Sequence, residues 1–222
     1  MAIRKQSGSV QPAQNMPLTD QALVYLRDAI RTGKLNPGQE IDYAELAQEL
    51  NMSRTPIRES VRQLLTEGLL ELLPGRTVRV TQVSSIEAES FYKILGDLEI
   101  AAVRGAAVHI SDLEIEMLKV NLSIFDKSRN EPEKLSQIDS QFHSLIYGAC
   151  NNKYLSQTLK VLRVRIGLLR VKPFDKPARI KSTYRGHMEI FKALKAHDPD
   201  LAEKAMSTHI ASARKYRLSL LK

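Results

Sequence analysis

Four side chains in the second half of the chain could do metal chemistry. Asp139 and His143 stand four residues apart, a spacing that puts both on one face of a helix. His187 lies on the next helical stretch but one, and His209 on the last. A carboxylate with three imidazoles is a donor set for a divalent transition ion. A pair at i and i+4 is equally what two solvated residues on a helix surface look like, and spacing alone leaves both readings open. A second set, Arg54, Thr55, Arg58 and Arg62, could do nucleic-acid chemistry. Taking Ile57 as zero and about 100° per helical residue, Arg58 falls at roughly 100°, Arg62 at roughly 140° and Thr55 at roughly 160°. Arg54 sits at the helix entrance. Ile57, Val61, Leu64 and Leu65 fall at i, i+4, i+7 and i+8, a separate apolar face. A short helix with a firm apolar side and several Arg on another suits entry into a DNA groove. A solvated face, or salt bridges at a protein interface, is the alternative.

The elements that must hold these residues follow from local signals. Met1–Asn15 is rich in Gln, Ser and Ala without periodicity and is expected to be a disordered tail. A first helix over Thr19–Arg31 buries Ala22, Leu23, Leu26, Ala29 and Ile30, with Gly33 past its end. Asn36-Pro37-Gly38 reads as a turn. Asp42 caps a second helix lined by Tyr43, Leu46, Ala47 and Leu50. After a break at Asn51-Met52, Ser53 or Thr55 caps the third, with Pro56 in its first turn. Gly68 stops it. Strands Leu69–Leu73 and Thr77–Val80 then form a hairpin around Pro74-Gly75-Arg76. Gly75 gives the turn its freedom and lets backbone approach a phosphate, and Arg76 can reach a minor groove. Three helices and a hairpin make a winged helix-turn-helix over residues 16–80. Residues 81–83 are a linker. Residues 84–222 read as about six helices without strand signal, near Ser84–Val108, Ser111–Ser128, Glu133–Cys150, Tyr154–Val171, Ala178–Ala196 and Asp198–Leu221. Ser84/Glu87 and Ser111/Glu114 have capping-box spacing, and Asp198-Pro199 is a cap with Pro at the first helical position. The expected fold is mainly α: a winged helix-turn-helix followed by an antiparallel helical bundle.

These residues carry a family resemblance. GQEIDYAELAQELNMSRTPIRESVRQLLTEGLLELLPGRTVRV resembles the N-terminal domain of GntR-type bacterial transcription regulators, most specifically in SRTPIRE and EGLLELLPGR. The resemblance implies that Arg54, Thr55, Arg58 and Gly75 contact operator DNA. Many members carry a further Arg early in the second helix. Here that place reads Asp42-Tyr43-Ala44-Glu45, so that contact is not expected. DSQFHSLIYGACNNKYL and HMEIFKALKAHDPDLAEKAMSTHI resemble the effector domain called FCD, found in the FadR-like branch; the six-helix count points to its VanR-like subgroup. The resemblance implies Asp139, His143, His187 and His209 as metal ligands. Zinc is the first choice, and nickel, manganese and iron are compatible with the same donors. Such a site can leave positions open to an effector carboxylate. Many relatives place an Arg four residues before the Glu matched by Glu99, where it pairs with an acidic effector. Leu95 stands there in this chain, so the ligand of those relatives is not inherited. Lys160–Arg185 holds nine Lys and Arg against Asp175 alone. A solvated face explains that run, and Arg163 or Arg170 pointing inward toward an anionic effector is the sharper expectation.

Composition narrows the function further. The net charge is +8, yet residues 1–80 hold ten Lys and Arg against nine Asp and Glu, and the remainder 23 against 16. Affinity for double-stranded DNA must therefore come from a few placed arginines and from a homodimer on a palindromic operator, since overall charge does not locate the site. Cys150 is the lone cysteine, so no internal disulfide forms. The most apolar run, Val161–Val171, is broken by Arg163, Arg165 and Arg170, and no membrane span or signal-peptide core is evident. A cytoplasmic location is expected. The expected function is a ligand-responsive transcription regulator, in the repressor sense, that binds a metal and a small-molecule effector. The competing expectations are a metal-dependent hydrolase, for which no general base is evident from spacing, and a protein-interaction module.

Overall fold

The computed structural model describes residues 16–169 and 174–220. The N-terminal tail and Arg170 lie outside the described residues. Helix α1 (Leu18–Thr32) ends on Gly33, whose φ of 78° gives the left-handed C-terminal cap. Helix α2 (Tyr43–Glu49) starts on Asp42, whose carboxylate accepts from the amides of Ala44 and Glu45 at 2.7 and 3.1 Å. Helix α3 (Arg54–Thr66) starts behind Ser53, which has extended N-cap backbone but makes no side-chain cap. Ile57, Val61 and Leu64 are buried with the apolar faces of α1 and α2, as their spacing predicts. The Ser60 hydroxyl donates to the Thr19 carbonyl at 2.8 Å and fixes α3 on α1.

Strands β1 (Leu70–Leu72) and β2 (Val78–Val80) pair antiparallel, Leu70 opposite Val80. The turn between them closes with the Arg76 amide donating to the Leu73 carbonyl at 3.2 Å. Gly75 takes φ 87°, as the third residue of a Pro-Gly turn of this kind requires, and Arg76 takes φ 66°. A third extended piece, which no sequence pattern marks, joins the wing. Ile41 donates to Val78 and Val80 donates to Gln39, both at 2.8 Å, and Glu40 bridges Arg79. The segment after the Asn36 turn thus covers the inner edge of the wing.

Six helices follow among the described residues: α4 (Ser85–His109), α5 (Asp112–Lys127), α6 (Pro132–Ala149), α7 (Lys153–Arg165), α8 (Pro177–Lys195) and α9 (Pro199–Ser219). Both capping boxes form, and Asp198 caps α9. The fold is mainly α, as expected. Helix α7 is shorter than its hydrophobic pattern predicts. It gives way at Ile166 to a 3-10 turn, Ile166–Leu169. The reason is tertiary. Leu168 leaves the bundle and is buried in the core of the N-terminal unit, a burial that contributes roughly 1.5–3 kcal/mol. A Cβ on Gly167 would lie 2.7 Å from the Arg31 Cα and the Ile30 carbonyl oxygen, so only glycine permits this approach. The Arg165 guanidinium donates to the Glu67 carbonyl at the end of α3. The end of α7 thereby joins the two units.

Candidate metal centre and nucleic-acid interface

The centre of the bundle holds a polar cluster inside an apolar shell. His143 from α6, His187 from α8 and His209 from α9 are all buried. They present ring nitrogens within 4.8 Å of one another. Phe142 stacks on His187 with centroids 4.0 Å apart, and Phe125 meets the same ring edge-on. Asp139, one turn before His143, brings Oδ1 to 3.3 Å from His187 Nε2. The spacing of Asp139 and His143 therefore does set them on one inward face.

Three residues that the sequence reading left out of the site complete it. Glu99 of α4 is buried, with Oε1 at 3.2 Å from His143 Nδ1 and 3.1 Å from Arg163 Nη1. Tyr147 of α6 donates its hydroxyl to Glu99. Gly186 of α8 faces His209 so closely that a Cβ there would lie 2.6 Å from its Nδ1. Glu99 was legible as one acidic residue within the buried α4 stripe of Tyr92, Leu95, Gly96, Ala102 and Val103. Nothing in the local sequence marks Gly186. Arg163 does point inward. Its Nη2 donates to Asp139 at 2.8 Å and its Nη1 to Glu99, so two carboxylates already engage its charge. Removing it would take the guanidinium partner from both acids, at a cost of roughly 3–5 kcal/mol. Leu95 is buried in the bundle core.

Electrostatics favour the metal-binding protonation state. Burial pushes Asp139 up, but His187 and Arg163 outweigh it and hold the carboxyl well below its usual range. Burial likewise pushes Glu99 up, and His143 and Arg163 bring it down to about 2. Burial lowers His187 to about 4 against the pull of Asp139, and burial with His187 holds His209 well below its usual value. At neutral pH these two rings are neutral, with a lone pair free. The nitrogens of His143 and His187 are buried and make no hydrogen bond. The Glu99 and Asp139 contacts are within ion-pair distance but are not aligned as hydrogen bonds. Orphaned buried imidazole nitrogens are costly unless something binds them. The three imidazoles converge as a donor set that fits a divalent transition ion, with the Asp139 carboxylate beside His187 but outside that converging group.

The other candidate surface lies on α3 and the wing. Arg54, Thr55, Arg58, Arg62, Gly75 and Arg76 are all exposed. Among the described residues, none of these four arginines forms an ion pair. The arginines elsewhere in the same unit do: Arg27 with Glu67, Arg31 with Asp28, and Arg79 with Glu71. Among the described residues of this nearly neutral unit, arginine charge is therefore left open on α3 and the wing tip, and paired elsewhere. Asp42 and Glu45 at the start of α2 offer no cation there.

Comparison with known proteins matches both halves of the chain. The family described as bacterial regulatory proteins, gntR family, matches residues 18–80, and the FCD domain matches residues 90–212. The chain is 27% identical over 196 residues to the HTH-type transcriptional repressor RspR of Escherichia coli (strain K12), covering 87% of this chain and 86% of that protein. It is 26% identical over 225 residues to the HTH-type transcriptional repressor NanR of Edwardsiella tarda (strain FL6-60), covering 90% and 85%. The solved structure of E. coli McbR/YncC aligns with a TM-score of 0.82 at 23% identity, over 93% of this chain and 97% of that one. At that identity the likeness speaks for the fold.

Proposed function

The chain belongs to the GntR family of bacterial regulatory proteins and carries an FCD domain, and on that premise we propose a metal-containing, effector-controlled repressor that binds a palindromic operator as a homodimer. The family's members are transcription regulators and not enzymes, which sets the hydrolase aside. The observation that carries the DNA reading is the unpaired arginine set on α3 and the wing. Arg54 and Arg58 read guanine edges or clamp phosphates, Thr55 and Arg62 add phosphate contacts, and Gly75 and Arg76 follow the groove beside the recognition helix. Two relatives are named repressors, which supports the direction of control. A DNA partner implies the cytoplasm, and no described helix is long and apolar enough to cross a membrane.

His143, His187, His209 and Asp139 would hold the ion, with zinc the first choice; the ion would supply a Lewis-acidic point for an acidic effector. The residues of the chain do the rest. Glu99 and Asp139 orient Arg163, Phe142 and Phe125 fix His187, and the apolar shell excludes water. For the homodimer, Leu113, Met117, Val120 and Ile124 are exposed at 43–72% and repeat on one face of α5. With Leu145 of α6 they line an open apolar groove of about 610 Å³. Burying such a stripe against its copy suits an obligate interface. The variant Val120→Glu should sediment as a monomer at micromolar concentration; a dimer of unchanged stability would place the interface elsewhere.

The DNA reading is tested by footprinting upstream of the chain's own gene and by anisotropy at two salt concentrations. Arg58→Ala should weaken operator binding roughly 5- to 150-fold, the equivalent of about 1–3 kcal/mol per base contact. The logarithm of affinity should fall linearly with the logarithm of salt concentration. Salt-independent binding, or no protected palindrome, would support the protein-interaction alternative instead.

A further inference from the structure

A small cleft opens where the two units meet. Its walls are Arg31 of α1, Ser136, Asp139 and Ser140 of α6, Arg163 of α7 and Arg217 of α9. Three arginines face one carboxylate, and that carboxylate is engaged by Arg163 and lies beside His187. Arg31 gives one nitrogen to Asp28, but its Nη1 is buried with no hydrogen-bond partner. Arg217 is 8% exposed and forms no ion pair among the described residues; its guanidinium lies beside the Tyr92 hydroxyl. Behind it, Arg179 is 7% exposed, donates to Ser212 at 3.3 Å, and leaves Nε buried and unpartnered. Arg179 and Arg217 are close enough to repel each other, which with burial weakens the hold of Arg179 on its proton. Two buried arginines without an ion-paired carboxylate, one lining the cleft and one next to it, and a third with an orphaned donor leave guanidinium charge uncompensated here. A buried charge in this condition is costly unless a counter-charge arrives.

We propose that this cleft binds a small oxyanion which bridges Arg31 of the winged helix-turn-helix to Arg217 of the helical domain. Guanidinium forks match the paired oxygens of phosphate and carboxylate groups, and Ser136 and Ser140 supply hydroxyl donors. Size limits the occupant. The cavity is about 40 Å³, room for roughly three waters. That suits one phosphate or carboxylate group rather than a whole sugar ring or acyl chain. The group comes either from a free inorganic ion or from the end of a larger molecule that enters from solvent. The site adjoins the proposed metal centre through Asp139 but is separable from it, because Arg31 and Arg217 are not metal ligands. It adds a consequence: an anion held from both sides ties α1 to α9 and favours the docked arrangement of the two units.

The probe is inorganic phosphate, titrated by calorimetry into the full-length protein at fixed ionic strength, with glycerol phosphate and acetate in parallel arms. Wild type should bind phosphate saturably, both with metal loaded and after chelation. Arg31→Gln should weaken binding about tenfold or more, and so should Arg217→Gln. Arg185→Gln, an exposed arginine of α8 outside the cleft, should not change it. Glycerol phosphate binding as tightly as phosphate would identify a phosphate monoester source, and acetate alone binding would identify a carboxylate; each still requires loss in Arg31→Gln. Binding that disappears on chelation and ignores Arg31→Gln would place the anion on the metal and overturn the proposal. No saturable binding of any of the three would also overturn it. If Arg217→Gln fails to fold, Arg31→Gln decides alone, because Arg31 is partly exposed on α1. Loss of anion binding with operator binding retained would leave the DNA reading intact.

Discussion

At His187 both ring nitrogens are buried without a hydrogen bond, a phenylalanine stacks on the ring, and burial brings its pKa from 6.5 to about 4. Such a residue is poised to bind an ion. The sign of its acid response follows. Because the folded state holds this proton less tightly than the unfolded chain, its contribution to stability is fully present above pH 6.5 and is lost as pH falls toward about 4. Thermal melts of chelated protein between pH 7.5 and 4 should show that loss, and the metal-loaded protein should lose its ion over the same descent, since protons compete for the rings. Gly186 provides the sharper test. Gly186→Ala places a methyl 2.6 Å from the His209 ring, so metal affinity should fall at least tenfold and the fold should lose about 1–3 kcal/mol. Gly148→Ala on α6, where a Cβ meets open space, should instead gain a few tenths to about 1 kcal/mol. The four candidate ligands were legible because Asp139 and His143 share a helix face and the flanking segments resemble a known domain. Glu99 stood out only as an acid in a buried stripe, and Tyr147 and Gly186 did not stand out at all, because their role is set by which helices pack together, and no local pattern encodes a partner on another helix.

At the scale of elements, the winged unit was readable almost throughout. Its caps, turns and apolar spacings all act within a few residues. The two misses are both tertiary. Gln39–Ile41 has no alternation long enough to mark a strand, and it becomes extended because β2 offers a free edge. The break of α7 at Ile166 is hidden inside a continuous apolar run, since Leu168 is as apolar in one core as in the other. That break is the physical link between the units: Arg163 holds Asp139 and Glu99, two residues later Arg165 holds the end of α3, and Gly167 and Leu168 seat on α1. Gly167→Ala would force a methyl against the α1 backbone. We expect single cooperative unfolding of the wild type to split into two transitions in this variant, with metal binding retained. One unchanged transition would show that the contact does not couple the units.

At the scale of the molecule, the charge distribution makes sense once the units are seen together. The winged unit is nearly neutral but leaves its unpaired arginines facing outward at α3 and the wing. The basic excess of the remainder supplies Arg163, Arg179 and Arg217, which face inward. The outward and the inward arginines are thus separate sets, and the α7 segment connects the two units that carry them. Occupancy of the centre can shift operator affinity only by its difference between the arrangements of the two units. The most direct measurement is an anisotropy titration of labelled DNA from upstream of the chain's own gene, with metal-loaded and chelator-stripped full-length protein at matched salt. Affinities should differ about tenfold between the two forms, both falling steeply with salt. Equal affinities for the loaded and stripped protein would contradict control of operator binding by the metal centre.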